Sequence, residues 1–277
     1  MAVNHLFLTM AKIKSYLLAC HFGPTLLVTA VTFLLATSLW WEGPAFIIAF
    51  GIFLGQLIVG WTNDLYDFRD DLKHNRVKKP LVSGDLKPAE LKRAIFIVLP
   101  IAIAINLFGP LGFKAGSISI LGIGIGVAYN FYFKPTAFSP IPYALAFGLL
   151  PAALVISTDR TPPLWMYWAG ALLGMAAHFA NVLKDFREDK ESDIESLPIR
   201  LGRIPSRLIT ATFLIAATLV LNSVSPNTAI LVIGVIASTL SIFAPRFMLF
   251  KLLMLVALLD VILLVNAAGE LIGSRTV

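Results

Sequence analysis

Apolar stretches recur along the chain from residue 16 to residue 268, and they constrain the fold more than any other feature of the sequence. Each is about 18 to 25 residues long, enough for an α-helix rising about 1.5 Å per residue to cross a hydrocarbon core roughly 30 Å thick. Nine spans are predicted, at about residues 16–41, 44–66, 90–109, 115–133, 139–157, 163–185, 205–223, 227–244 and 248–268. A β-barrel is disfavoured because its strands are shorter and alternate in polarity. We therefore expect an all-α polytopic membrane protein, a single domain over residues 1–277, bundled around a central cavity.

The distribution of charge supports this interpretation and excludes a nucleic-acid partner. Only 14% of the residues are charged, against roughly 25% in an average soluble domain, and the net charge is +6. With nine spans and a cytoplasmic N-terminus, nineteen of the 22 Lys and Arg residues fall on the cytoplasmic side, as the positive-inside rule requires. The cations thus indicate topology in the lipid bilayer, in the plasma membrane if the source is prokaryotic.

An internal repeat carries the candidate chemistry. Residues 63–71 (NDLYDFRDD) and residues 181–189 (NVLKDFRED) both read Asn-x3-Asp-Phe-Arg-acid-Asp, and they end the second and sixth predicted spans. Residues spaced by four advance about 400° per step around a helix, so each copy forms one stripe. The two stripes consist of Asn63, Asp67 and Asp71, and of Asn181, Asp185 and Asp189. We expect these two half-repeats to face each other across one cavity at the cytoplasmic edge.

Carboxylates concentrated beside hydrocarbon repel one another and require cations or protons. Mg²⁺ takes one or two carboxylates and completes its octahedron with waters and substrate phosphates. The paired stripes therefore predict a site for a magnesium diphosphate, to which the two Asn residues can add neutral carbonyl ligands. Solvated helix ends are the plain alternative, but two copies with matched offsets disfavour that interpretation.

The residues after each motif resemble the UbiA superfamily of intramembrane prenyltransferases, whose aspartate-rich motifs lie on the second and sixth of nine helices. Residues 75–84 (NRVKKPLVSG) resemble the family's NRPxRPLxSG loop, with Lys79 in place of the usual Arg and Val77 in place of the usual Pro. The Lys79 change keeps the charge and loses the bidentate fork of arginine. Residues 197–202 (LPIRLG) resemble the short loop before helix seven. The resemblance covers nearly the whole chain.

The resemblance implies Mg²⁺-dependent transfer of an isoprenyl group from an isoprenyl diphosphate to an aromatic or similar lipophilic acceptor, as in quinone or related lipid biosynthesis. Asp67, Asp71, Asp185 and Asp189 are then the catalytic metal ligands. Asn63 and Asn181 complete the metal shell and lie beside the diphosphate. The remaining diphosphate-binding residues are Arg76, Lys79, Tyr129 and Lys134.

Three further polar residues have two interpretations each. His178 lies three residues before Asn181 and is either a base or a hydrogen-bonding residue of the bundle. Asp64 falls off the main stripe but can reach a metal through water, so it ranks as a secondary site residue. Asp260 is an acid deep in the ninth predicted span, and it is either functional or a neutral or paired structural acid.

Glycines at small-residue spacing predict close helix packing. Gly51 with Gly55, and Gly170 with Gly174, lie on the two motif helices and are expected to let those helices approach. The run at residues 122–126 (GIGIG) has no preceding strand, so packing is favoured there over a phosphate-binding loop.

Two other functions use similar residues. A membrane terpene cyclase would use the same diphosphate site but let the isoprenyl cation attack its own chain, without an acceptor. A secondary transporter also has repeats and intramembrane acids, but its sites usually lie near the midplane on broken helices. The acids predicted here lie at the cytoplasmic edge, which favours the transferase.

Overall fold

A computed structural model describes residues 2–273, and the side chains of most of them from residue 10 onward. The all-α prediction is confirmed over this range. The helices are α1 (Ala2–Ala19), α2 (Phe22–Thr37), α3 (Glu42–Lys73), α4 (Pro80–Ser83), α5 (Pro88–Phe108), α6 (Gly112–Ala128), a π-helical turn (Tyr129–Phe133), α7 (Pro140–Ile156), α8 (Leu164–Glu191), α9 (Leu197–Leu201), α10 (Arg203–Val224), α11 (Thr228–Phe243) and α12 (Arg246–Gly273). The ends of the predicted domain, residue 1 and residues 274–277, lie outside the described residues.

The number of membrane spans differs from the prediction. Within the described chain four helices are long and apolar enough to cross a membrane, namely α3, α5, α6 continued through the π-helical turn, and α10; α1 and α2 make a fifth if they form one bent span. The nine predicted spans are not confirmed. Helices α7 and α11 have only 17 and 16 residues. The apolar part of α8 contains Trp, Tyr, His and Asn, which lower its mean hydropathy.

The first predicted span, residues 16–41, is not one continuous helix. The chain bends by 78° between α1 and α2, and His21 in the bend has a left-handed φ of 55°. An uninterrupted α-helix would require the N–H of residue 24 to bond the carbonyl of Cys20, but residue 24 is proline and has no N–H. Instead, the Thr25 hydroxyl donates to the Cys20 carbonyl at 2.9 Å. The chemistry of Pro24 therefore accounts for the break.

The two motif helices lie at the centre of the bundle. The most apolar stretch of α3 is 61% buried, whereas that of α5 is 17% buried. Phe96 and Phe108 of α5 are 80% and 81% exposed. Such an apolar outer surface suits contact with lipid better than contact with water. Buried side chains of α8 join two core clusters, one shared with α2, α3 and α7 and one shared with α10, α11 and α12.

The glycines of the motif helices pack against α5, α6 and α7, and not against the other motif helix as expected. A Cβ at Gly170 or Gly174 would collide with backbone carbonyls of α7, and a Cβ at Gly51 or Gly55 would meet isoleucine side chains of α5 and α6. The expectation that these glycines let α3 and α8 approach each other was therefore wrong. In the 122–126 run only Gly126 packs closely, against Val59, because Gly122 and Gly124 have no described atom within 4 Å of a Cβ position.

Candidate active site

Both acidic stripes lie at the polar ends of the two central helices. Helix α3 continues to Lys73 and α8 to Glu191, so each Asn-x3-Asp-x3-Asp set lies wholly within one helix. Because a helix repeats about every 3.6 residues, each set occupies one slowly drifting face. The helical arrangement that the spacing predicts is therefore present in both copies.

The first motif forms a buried cluster of ion pairs. Asp64 and Asp71 are only 2% and 1% exposed, and the Nζ of Lys79 lies 3.0 Å from a carboxylate oxygen of each. The second oxygen of Asp71 accepts from Arg76 at 2.7 Å. Burial disfavours the charge of Lys79, but the neighbouring carboxylates outweigh that effect and raise the pKa of Lys79. Asp64, which lies off the stripe, thus belongs to the same charge cluster as Asp71.

The loop after α3 brings these cations back onto the acids. Asn75 adopts a left-handed φ of 53°, which Asn tolerates better than most residues, and the N–H of Arg76 bonds the carbonyl of Asp71 at 3.0 Å. Lys79 is extended, as expected before a proline, and Pro80 begins α4 at a position that needs no N–H donor. The NRVKKP sequence therefore folds the chain back at the end of its motif.

Lys134 provides a third cation. Its Nζ lies 2.7 Å and 2.6 Å from the two carboxylate oxygens of Asp67. It directly follows the π-helical turn, in which the N–H of Lys134 bonds the carbonyl of Tyr129 at 2.9 Å. Single π-helical turns inside α-helices are frequent at functional sites. This turn places Lys134 against the first stripe.

One carboxyl group of the second stripe, that of Asp189, is affected by the same charges. Asn181 is exposed, and Asp185 and Asp189 are half-buried, with Lys184 3.9 Å from Asp185. Burial raises the pKa of Asp189, beyond the apolar part of α8, to about 6; the charges of Asp185 and Asp67 add to this, while those of Lys134 and Arg76 oppose it. Charges from both motifs thus act on one carboxyl group.

Arg76 joins the two motif helices directly. Besides its ion pair with Asp71, its second terminal nitrogen donates to the carbonyl of Glu188 at 3.1 Å and to the hydroxyl of Ser192 at 2.6 Å. These acceptors lie at the end of α8. One guanidinium therefore links the end of the first motif to the end of the second.

Arg76→Met is expected to lower the free energy of unfolding by about 2 to 4 kcal/mol, because it leaves the buried Asp71 with one cation and removes the link to α8. Thermal unfolding in detergent measures the effect as a lower Tm. Arg69→Met, on an exposed position of the same helix, is the matched control and should change the Tm little. Equal Tm values for the two variants would contradict a linking role for Arg76.

The arrangement fits a hard cation, although the acids are not clustered tightly. In the part of the chain that the structure describes, no three His, Cys, Asp or Glu side chains are close enough to hold a metal ion together. The available donors are carboxylate and amide oxygens, the ligands that Mg²⁺ prefers. One buried oxygen of Asp64 has no hydrogen-bond partner among the described residues. Two of the cations expected to bind phosphate, Lys79 and Lys134, pair with the carboxylates of Asp64, Asp67 and Asp71.

Tyr129 and His178 pack against each other and against Tyr143. The Tyr129 ring packs edge-on against Tyr143 and His178, at centroid distances of 5.0 and 5.7 Å. His178 is fully buried, and its Nε2 lies 3.0 Å from the Ser139 hydroxyl. Of the two interpretations of His178, its contacts correspond to hydrogen bonding within the bundle.

Asp260 lies in another part of the bundle. It is fully buried on α12, and its carboxyl group is 2.7 Å from the hydroxyl of Thr218 on α10. The contact corresponds to the interpretation of Asp260 as a paired structural acid.

Sequence reasoning missed His21, which contacts the first stripe. The Nε2 of His21 lies 3.1 Å from the amide oxygen of Asn63, and the amide nitrogen of Asn63 donates to Asn130 at 3.2 Å. A signal for His21 was present in the sequence, since a histidine inside an apolar run directly precedes Phe-Gly-Pro, a combination that breaks a helix. The contact with Asn63 joins positions 42 residues apart, which no local pattern reveals.

Comparison with protein families gives one match that spans most of the chain. The model of the UbiA prenyltransferase family matches residues 25–265, which include both motifs and both loops. Comparison with curated protein sequences found no match.

Solved structures share the fold at low sequence identity. A structure of digeranylgeranylglyceryl phosphate synthase is 17% identical, with a TM-score of 0.68 over 94% of this chain and 99% of that chain. A UbiA homologue from Archaeoglobus fulgidus bound to GPP and Mg²⁺ is 16% identical, with a TM-score of 0.65 over 92% of this chain and 99% of that one. A UbiA homologue from Aeropyrum pernix K1 is 15% identical, with a TM-score of 0.69 over 91% and 98% of the respective chains.

Proposed function

The chain belongs to the UbiA prenyltransferase family, and on that premise we propose that it transfers an isoprenyl group from an isoprenyl diphosphate to an aromatic or similar lipophilic acceptor. The observation that carries the proposal is that Arg76, Lys79 and Lys134 pair with the first carboxylate stripe, while Arg76 also donates to the end of the helix that carries the second stripe. Anionic and cationic groups are both needed, since a magnesium diphosphate presents charges of both signs.

We assign the metal to the stripes. Asn63, Asp67, Asp71, Asn181, Asp185 and Asp189 would hold Mg²⁺. The homologue from Archaeoglobus fulgidus bound to GPP and Mg²⁺ supports the choice of metal. When bound, Mg²⁺ supplies positive charge that stabilises the departing diphosphate. The partially buried setting strengthens such electrostatic effects, because fewer water molecules screen them.

The cations have a second role in this scheme. Arg76, Lys79 and Lys134, with Tyr129 beside them, would contact the diphosphate oxygens and stabilise the negative charge that develops as the allylic C–O bond breaks. The Lys134 Nζ already lies against Asp67, so the predicted metal ligand and the predicted phosphate contact are neighbours. The isoprenyl tail would lie between helices, gaining about 0.8 kcal/mol per buried methylene. An electron-rich acceptor then attacks the allylic cation from its other side.

The same proposal includes the topology. We propose a single domain of two half-repeats with nine crossings, a cytoplasmic N-terminus and an active site near the cytoplasmic face, supported by the position of 19 of the 22 Lys and Arg residues. Short helices such as α7 and α11 can cross if the bilayer thins locally or flanking residues reach the interface.

Aromatic acceptors of quinone synthesis remain the favoured acceptor class.

The direct test is transfer of radiolabelled geranylgeranyl diphosphate by purified protein, supplied with pooled candidate acceptors. Label is expected in an acceptor with Mg²⁺, and chelation should reduce transfer at least ~100-fold because the carboxylates alone repel the diphosphate. Adding Mg²⁺ back should restore it.

Each other outcome assigns a different function. Metal-dependent cyclic hydrocarbon formed from the donor alone would identify a terpene cyclase. Donor that remains intact at every chain length would refute diphosphate chemistry, and ion-coupled flux in vesicles that survives Asp67→Ala would then favour a transporter.

A further inference from the structure

The bend between α1 and α2 is held firmly against α3. The indole N–H of Trp61 donates to the carbonyl of Tyr16 at 2.9 Å, and Gly60 packs directly on the backbone of Cys20, where any Cβ would collide with the carbonyl. His21 lies at the apex with its left-handed φ of 55°, a conformation unusual for a residue other than glycine. Strained residues of this kind persist where the surrounding structure determines them, often at functional sites.

A chain of hydrogen bonds determines the orientation of three side chains near this bend. The carbonyl of Val59 can only accept, and the Asn130 side chain lies 2.9 Å from it, so the Asn130 NH₂ group must face it. The same NH₂ group lies 3.1 Å from the Thr62 hydroxyl, whose own hydrogen is directed at backbone carbonyls of α3. The amide oxygen of Asn130 is therefore the atom that faces Asn63.

The orientation of Asn130 determines the next two hydrogen bonds, from Asn63 to Asn130 and from His21 to Asn63. Because the Asn130 oxygen needs a donor, the NH₂ group of Asn63 faces it at 3.2 Å, and the oxygen of Asn63 faces His21. That oxygen accepts, so the Nε2 of His21, at 3.1 Å, must carry a hydrogen. A backbone carbonyl of α3 thus sets the tautomer of a histidine on a different part of the chain.

We propose that His21 is a positioning residue of the active site, which holds the amide oxygen of Asn63 in place by donating from Nε2. This inference rests on the proposed function, in which Asn63 is a metal ligand. An amide oxygen has two lone pairs; His21 occupies one of them, and the other remains for the cation. Donors that hold metal ligands in orientation commonly contribute 10- to 100-fold to metal affinity.

A histidine suits this position better than a cationic donor would. Arg76, Lys79 and Lys134 already place three cations beside the first stripe. A lysine or arginine at position 21 would add a fourth and oppose metal binding, whereas the Nε2–H of a neutral imidazole can hold the amide without adding charge. This accounts for a histidine at a backbone position that glycine or asparagine would occupy with less strain.

The experiment separates positioning from a purely structural role at the bend. His21→Gly removes the imidazole and relieves the strained φ, so the fold is expected to be kept, with an unchanged or higher Tm. His21→Gln keeps an N–H donor near the position of Nε2. His74→Gly, at the end of α3, is the control for the loss of a histidine elsewhere.

The readouts are Mn²⁺ affinity, measured by electron paramagnetic resonance with an unreactive thiodiphosphate analogue of the donor, and the Mg²⁺ concentration that gives half-maximal transfer. His21→Gly should weaken Mn²⁺ binding about 10-fold or more, and His21→Gln should restore it to within about 3-fold of the wild type. Wild-type Mn²⁺ affinity in His21→Gly would overturn the inference, as would equal losses in the Gly and Gln variants. Absence of metal binding in the wild-type protein would instead refute the proposed function.

Discussion

Asp67→Asn is expected to reduce prenyl transfer at least ~100-fold and to leave the protein folded. The substitution keeps the shape of the side chain but removes the charge at the middle of the first stripe, where the carboxylate now lies 2.6 Å from Lys134. An amide oxygen is a weaker ligand for a hard cation than a carboxylate, and Lys134 loses the partner that places it beside the diphosphate. Single-turnover transfer at saturating Mg²⁺ measures the chemical step, and the Tm reports the fold.

The matched control is Asp85→Asn, the same chemical change in an exposed loop after α4. Its rate should remain within about twofold of the wild type. Titration of Mg²⁺ from subsaturating to saturating concentrations should recover only part of the wild-type rate in Asp67→Asn, because the loss includes the position of Lys134 as well as metal affinity. A rate within about threefold of the wild type would remove Asp67 from the site.

Asp185→Asn is expected to cause a loss of similar size, at least ~100-fold, through the opposite helix. Asp185 occupies the middle of the second stripe, as Asp67 does in the first, and its side chain is 38% exposed, so the substitution should barely change the Tm. The paired stripes require a carboxylate from each helix, since one helix alone presents all its ligands from one side. Transfer is measured under the same single-turnover conditions.

Asp193→Asn is the control for this variant, because Asp193 follows α8 with a φ of 52° that Asn tolerates equally well. The double variant of Asp67 and Asp185 provides a further check. When two residues act as one unit, the activity losses of their single variants do not add. The rate of the double variant should therefore be little lower than that of the less active single variant. If the double variant loses the product of the two single losses, the second stripe works separately from the first. If Asp185→Asn keeps its activity, the second stripe has no part in transfer.

Prediction from sequence succeeded for features that depend on neighbouring residues. The helical class follows from the length of the apolar runs, and both stripes follow from a spacing of four residues, because hydropathy and helical period are local properties. The break at residues 20–21 was equally local, and the prediction of one span over 16–41 overlooked Pro24 and the carbonyl that it cannot bond.

Partners across the bundle were predicted less well. The pairing of Lys79 with Asp64 and Asp71 was not predicted from the sequence; buried carboxylates need neutralising charges, and the loop supplies one. Gly170 and Gly174 were expected to face the other motif helix and instead face α7. A small residue shows that something approaches closely, but its position in the chain does not say which helix does so.

By itself, the sequence determined that this protein is helical, suited to a membrane and a member of its family, and that it carries two matched acidic stripes. Only the tertiary structure decided that Arg76 links the end of α3 to the end of α8 and that a bend in the first predicted span places His21 beside Asn63. The physical reason is distance along the chain: these contacts join residues 42 to 116 positions apart, and their free energy depends on which helices pack together, a choice that no local pattern encodes.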